Sequence, residues 1–133
     1  VAKRSRRDRR HHVVARGEET FALLNRYPYN NGHLMIAPYR HVGALASLRP
    51  AEWTEMLRLA RRLTSRLREV LHPHGFNLGV NLGRAAGAGI PGHLHLHVVP
   101  RWTGDTNFFP ILSQTKVISQ SLDELYTLLA GPA

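Results

Sequence analysis

The run His93-Leu94-His95-Leu96-His97-Val98-Val99 alternates imidazole and aliphatic side chains. A period of two is that of a β-strand, so its three imidazoles share one face while Leu94, Leu96 and Val98 point to the other. A chain containing this run must build a sheet with one apolar face covered and the other carrying histidines. The cover is legible from Pro50 to Leu71, where Trp53, Met56, Leu57, Ala60, Leu63, Leu67 and Val70 recur at spacings of three and four. That pattern predicts one amphipathic helix, with Pro50 suited to its first turn.

Four further segments read as strands. Residues 12–16 and 20–24 flank Gly17-Glu18-Glu19, a hairpin turn. Asn25 to Gly32 is dense in turn residues, and His33 to Pro38 is a strand ended by proline. His72-Pro73-His74-Gly75 stops the long helix, with glycine expected to take up the chain reversal. Phe76 to Leu82 alternates as a half-buried strand, residues 83–92 form a glycine-rich loop, His93 to Trp102 is the last strand, and Ser121 to Leu129 is a C-terminal helix. Strands around one long helix, joined early by hairpin-length connections, predict an α+β domain with a mainly antiparallel sheet of about five strands.

The chain of 133 residues has 43% apolar content, enough for one domain with its own core, and no cysteine, which excludes disulfides and thiolate chemistry. No apolar run reaches the ~18 residues of a membrane helix, and no signal-peptide core follows the basic start. The expectation is a cytoplasmic protein with no membrane partner. The net charge of +9 is concentrated at the N-terminus, where residues 1–16 hold Lys3, Arg4, Arg6, Arg7, Arg9, Arg10 and Arg16 against the single acid Asp8. The division expected is a basic arm over 1–16, read as a solvated, mobile tail, and one domain over 17–133, with the strand at 12–16 open to either. Such an arm also suits RNA, so an RNA-binding module is one alternative function, with nucleic acid the less favoured partner.

Along an extended strand, neighbouring histidines of the run stand about 7 Å apart and the outer pair about 13 Å. One zinc ion reaches two of them but not all three, so a zinc-dependent hydrolase, the second alternative, requires further ligands such as His33 or His41. The competing use is a row of roles: one imidazole attacks an electrophile while its neighbours orient it and protonate the leaving group. Imidazole suits attack on phosphorus because it is largely neutral near pH 7 and its P–N bond is reactive enough to be resolved in a second step. The stretch from Gly83 to Gly92 directly precedes the row, and backbone N–H groups freed by glycines can converge on phosphate oxygens.

On these residues the sequence resembles the histidine triad (HIT) family of nucleotide hydrolases and transferases. Asn25-Arg26-Tyr27-Pro28 with Gly32-His33 resembles the family's early loop, and Asn81 with the glycine loop its phosphate-binding stretch. Val99-Pro100-Arg101-Trp102-Thr103-Gly104-Asp105-Thr106-Asn107-Phe108 is similar to the branch of Fhit-like diadenosine polyphosphate hydrolases and bacterial diadenosine tetraphosphate phosphorylases.

The resemblance implies the HIT fold, a homodimer with paired sheets, and attack by His95 on the α-phosphorus of a dinucleoside polyphosphate. It implies that the His93 carbonyl holds the His95 Nδ1 proton, that His33 packs behind, and that His97 assists the leaving group. Asn25 would bind ribose, Leu23 and Met35 would line the base pocket for an adenine nucleotide, and Asn81 with Gly87 would meet the phosphates. No protein-bound cofactor or metal is implied, although Mg2+ can accompany the polyphosphate. Where many family members carry glutamine and then serine or threonine, this chain has Gly89 and Ile90, leaving only backbone donors. The roomier acceptor site is expected to admit inorganic phosphate, in which case Gly89→Gln changes the ratio of hydrolysis to phosphorolysis.

Trp102 is read either as a nucleobase platform or as packing at the dimer interface or against Phe108 and Phe109. Trp53 and Met56 are read as core, Lys116 and Arg84 as solvated cations that can also meet distal phosphates, and His41 as structural or close to them. His72 and His74 carry no assigned chemistry.

Overall fold

The computed structural model describes residues 6–87, 92–105 and 121–130. Gly89, Ile90, Phe108, Phe109 and Lys116 lie outside them. The elements are α1 (Arg6–Arg10), β1 (Val13–Arg16), β2 (Thr20–Leu24), β3 (Leu34–Pro38), α2 (Pro50–Leu71), β4 (Gly75–Val80), β5 (Leu96–Arg101) and α3 (Leu122–Ala130). Short 3-10 turns occur at Leu45–Ser47 and Arg84–Ala86. The strands form one five-stranded sheet in the order β1-β2-β3-β5-β4, and every neighbouring pair is antiparallel.

The helix α2 begins where the sequence places it. Pro50 occupies its first turn, and the Glu52 carboxylate accepts the Arg49 N–H at 2.8 Å and pairs with the Arg40 guanidinium at 2.8 Å. Its inward stripe is Met56, Leu59, Ala60, Leu63 and Leu67, which packs on Ala22, Leu24, Leu34, Ile36, Leu96 and Val98 of the sheet. Leu57 belongs to the expected stripe but is 46% exposed, and Leu59 takes its place. At ~100° per residue Leu57 is rotated off the Met56–Ala60–Leu63–Leu67 line, whereas Leu59 flanks it on the other side.

Three more boundaries differ from the sequence reading. The left-handed residue ending α2 is His72 (φ 51°), not Gly75, because Pro73 disfavours the right-handed helical conformation for its predecessor. The last strand pairs only from Leu96, since His93 to His95 lie beyond the reach of β4, although Leu94 N–H still donates to the Val42 carbonyl at 2.6 Å. Residues 6–10 form a helix where a mobile tail was expected. Asp8, 4% exposed, is held by Arg16 Nε at 3.0 Å and Nη2 at 2.7 Å, which ties α1 to the end of β1 and raises the Arg16 pKa. The acid that looked isolated among arginines is the anchor of the arm.

The β1–β2 hairpin is fastened to α2 by one carboxylate. Glu55 accepts the backbone N–H of Glu18 at 2.8 Å and of Glu19 at 2.9 Å, and the Thr20 hydroxyl. Burial raises its pKa, but these hydrogen bonds together outweigh that and leave it lowered. Glu55→Ala is therefore expected to cost about 2 kcal/mol, read as a lower urea midpoint at constant slope.

Candidate active site

Strand register brings the site together. Leu23 of β2 stands opposite Met35 of β3, Met35 opposite His97 of β5, and His97 opposite Gly79 of β4. Residues in one cross-strand row share a sheet face. Their neighbours Ala22, Leu24, Leu34, Ile36, Leu96 and Val98 enter the core, so Leu23, Met35 and His97 look out on the side away from α2.

Leu23, Met35 and Asn25 line a single cleft of about 460 Å3, together with Arg10, His11, His12, Leu24, Arg26 and Tyr27. Its apolar floor comes from two strands and its polar rim from the α1–β1 junction and the 25–27 loop. The contribution of Arg10, His11 and His12 was not legible in the sequence, because it depends on α1 packing beside β1. The Asn25 carboxamide is held in orientation: its Oδ1 accepts the Tyr27 N–H at 3.0 Å and its Nδ2 faces His33 Nδ1 at 3.3 Å. One amide N–H and one lone pair remain for a ligand.

The hydrogen-bond partners determine the tautomers of the histidine row. The His93 carbonyl can only accept, and it lies 2.9 Å from His95 Nδ1. His95 therefore carries its proton on Nδ1 and offers the Nε2 lone pair. A second relay starts at the Tyr29 backbone N–H, which donates to His33 Nδ1 at 3.1 Å. Neutral His33 then has its proton on Nε2 and donates it to His97 Nδ1 at 2.8 Å, so neutral His97 presents Nε2–H. Burial is the main cause that lowers the His97 pKa, and it favours that neutral form. Two rings 4.7 Å apart thus present opposite functions, an acceptor on His95 and a donor on His97.

His33 is 1% exposed and backs His97 rather than His95, a correction to its expected place. Tyr29 stacks on His33 at 5.1 Å. Its main-chain role left no signal in the sequence, since any non-proline residue supplies the same N–H.

His93 Nε2 faces the Pro38 carbonyl at 3.1 Å, and the His41 ring lies 4.9 Å from that of His93. His41 is thereby placed at the start of the row. Asn81 lies next to Gly87, its Nδ2 being 3.9 Å from where a Gly87 Cβ would stand, and Gly87 has a φ of +91° that favours glycine. Trp102 is at the opposite end of β5 from His95, its N–H donating to Asp105 Oδ2 at 3.0 Å, and it does not line the cleft. Arg84 is exposed. Among the described residues no three His, Asp or Glu side chains converge in an arrangement that would hold a metal ion, and no helix is long and apolar enough to cross a membrane.

Asp105 clasps the loop that carries Tyr29 and His33 to the end of β5. It pairs with Arg101 Nη2 at 2.7 Å and Nε at 2.9 Å, and accepts from Asn30 Nδ2 at 2.8 Å. The Arg101 guanidinium, outweighing burial, lowers its pKa to about 2. Against an unfolded value of about 3.9, a lowered pKa means that the stabilisation, about 2 kcal/mol, is present above pH 4 and lost as the pH falls to about 2. Acid titration of stability should show that Asp105→Asn differs most from the parent at neutral pH and converges on it only as the pH reaches about 2.

The HIT domain family matches residues 6–104. The chain is similar to a Mycobacterium tuberculosis protein named AP-4-A phosphorylase, 49% identical over 118 residues, or 89% of this chain and 60% of that protein. It therefore spans about 60% of the length of that relative. It is also 31% identical to the asymmetrical bis(5'-nucleosyl)-tetraphosphatase of Schizosaccharomyces pombe, over 70% of this chain and 50% of that one. Among solved structures, a zinc-bound histidine triad family protein from Mycobacterium smegmatis superposes with a TM-score of 0.73 at 28% identity, covering 90% of this chain and 81% of the other.

Proposed function

The chain belongs to the HIT family, and from that premise we propose that it is an enzyme of nucleotidyl transfer acting at the α-phosphate of dinucleoside polyphosphates. The observation that carries this reading is the pair of opposed tautomers: an acceptor nitrogen on His95 beside a donor N–H on His97, which shares a cross-strand row with Leu23 and Met35 of the cleft. Similarity to relatives named for diadenosine tetraphosphate phosphorolysis and tetraphosphate cleavage supports it.

An adenosine enters the cleft, its base against Leu23 and Met35 and its ribose at Asn25. His95 Nε2 attacks the α-phosphorus, forming a P–N bond as the bridging P–O bond breaks. His97 Nε2–H donates a hydrogen bond to the bridging oxygen on which negative charge develops, and the nucleotide departs as its phosphate anion. The developing charge on His95 is held by the His93 carbonyl through Nδ1–H, and Asn81 with the backbone at Gly87 contacts the phosphates. Mg2+ travels with the polyphosphate. Inorganic phosphate then displaces the nucleotidyl group as a nucleoside diphosphate, which makes the enzyme a phosphorylase. With water in that role it is a hydrolase.

We place the working form as a homodimer joined along β4. That strand ends the sheet, and Leu78 is 48% exposed with Leu82 beyond it 43% exposed, an apolar edge of the kind a second sheet covers.

Chromatography of the products of diadenosine tetraphosphate, with and without inorganic phosphate, tests the reading. ADP plus ATP formed only with phosphate is the phosphorylase result, and AMP plus ATP irrespective of phosphate is the hydrolase result. No cleavage under either condition overturns the proposal.

A further inference from the structure

On the side of α2 turned away from the sheet, Arg58, Arg61, Arg62, Ser65, Arg66 and Glu69 line one concavity of about 440 Å3. The sheet separates it from the histidines: α2 covers the core face, and His97 looks out from the other.

The charges of this recess are unbalanced. Arg58 stands three and four residues from Arg61 and Arg62, and Arg62 four from Arg66, the spacings at which like charges repel across a helix. Glu69 is the acid in the lining, and Arg66 already takes its carboxylate at 3.0 Å while also donating to the Leu128 carbonyl at 2.8 Å. Among the described residues no carboxylate lies within ion-pair distance of Arg58, Arg61 or Arg62. Three guanidiniums on adjacent turns thus face a recess with no countercharge of their own.

We propose that this recess binds a linear oligophosphate, the chemistry shared by inorganic tripolyphosphate and the triphosphate tail of a nucleotide. Each guanidinium offers a planar fork of N–H donors that matches phosphate oxygens two at a time. From Arg58 to Arg66 the helix rises about 12 Å, a span along which several phosphates in a row are met one after another. The lining holds no aromatic or aliphatic side chain, so it reads the phosphate chain and not a base, and it lacks the apolar side chains an interfacial helix inserts into a membrane. An anion here also relieves the repulsion along α2, so occupancy stabilises the helix that covers the core. This site is independent of the proposed catalytic chemistry on the opposite face.

The test is calorimetric titration and thermal melting of the full 133-residue chain with tripolyphosphate, ATP, adenosine and a short RNA. Three proteins are compared: the parent, Arg58→Gln/Arg62→Gln, and Arg26→Gln in the histidine-side cleft. Expected are saturable tripolyphosphate binding with a raised Tm, at least tenfold weaker in the double variant and retained in Arg26→Gln. In the ATP arm, the parent loses a binding contribution on double substitution, and adenosine shows no such difference. Equal tripolyphosphate and ATP contributions identify the phosphate chain alone as the ligand, and a larger ATP contribution identifies the nucleotide as its source. Equal tripolyphosphate affinity in parent and double variant overturns the proposal, as does loss in Arg26→Gln alone, or binding of RNA with none of tripolyphosphate. Without anion the double variant should melt at or above the parent, since like charges are removed. A lower Tm assigns these arginines to the fold and overturns the site.

Discussion

His95→Ala is expected to lower kcat/KM for diadenosine tetraphosphate by about ten-thousand-fold or more, because it removes the atom that forms the covalent bond rather than one that assists it. The fold should survive. His95 is half-buried, its ring lies on the open sheet face, and the apolar neighbours that secure this segment, Leu94 and Leu96, point into the core. Denaturing quench of the parent at alkaline pH, where a P–N bond persists, should leave label from the substrate on the protein, and none on the variant. Retained turnover in a clean preparation would remove His95 as nucleophile. His97→Ala should behave differently: label still accumulates with a leaving group that is a stable anion without a hydrogen bond, and slows sharply with the natural one. That contrast follows from the opposite tautomers of two adjacent rings, and a merely structural role for His97 would not produce it.

Gly32→Ala is expected to cost about 3 kcal/mol through two effects that add. Gly32 has a φ of +83°, in the region where a Cβ is strained. A Cβ there would also stand 2.6 Å from Leu71 Cδ1, 3.1 Å from Leu67 Cδ2 and 3.2 Å from Pro100 Cγ, so the Leu71 side chain would have to shift between Leu67 and Pro100. The next residue is His33, and any shift of the backbone loosens its bond to His97. The expected result is a lower urea midpoint together with reduced kcat. Gly79→Ala is the control: a Cβ at that position meets nothing within 4 Å and φ is not positive, so stability should change by less than about 1 kcal/mol. Equal effects at the two glycines would refute the packing account.

Much of this was readable along the chain wherever a side chain announces its own surroundings. The period-two run from His93 to Val99 required a sheet with unlike faces. The threefold and fourfold spacing from Pro50 to Leu71 required the helix that covers one of them. Leu23, Met35 and Asn25 were assigned to one pocket by resemblance, and the structure brings them to one cleft. Where the reading missed, a local pattern was overruled by a distant partner. Asp8 looked like a stray acid in a solvated arm, yet its pairing with Arg16 folds that arm into α1 and brings Arg10, His11 and His12 to the cleft rim. Leu57 and Leu59 are equally apolar, and only the position of the sheet beneath α2 selects one.

The sequence by itself determined which chemistry is present: three imidazoles on one strand face, an apolar opposite face, and a glycine-rich loop before them. Those are consequences of backbone period and residue type, which need no partner. For His95 the family resemblance already implied which nitrogen is the acceptor, and only the tertiary structure decided it for His97. A tautomer is set by what the other nitrogen bonds. Those partners are the His93 carbonyl for His95 and, through His33, the main-chain N–H of Tyr29 for His97, a group that residue identity does not specify and chain folding alone brings into place.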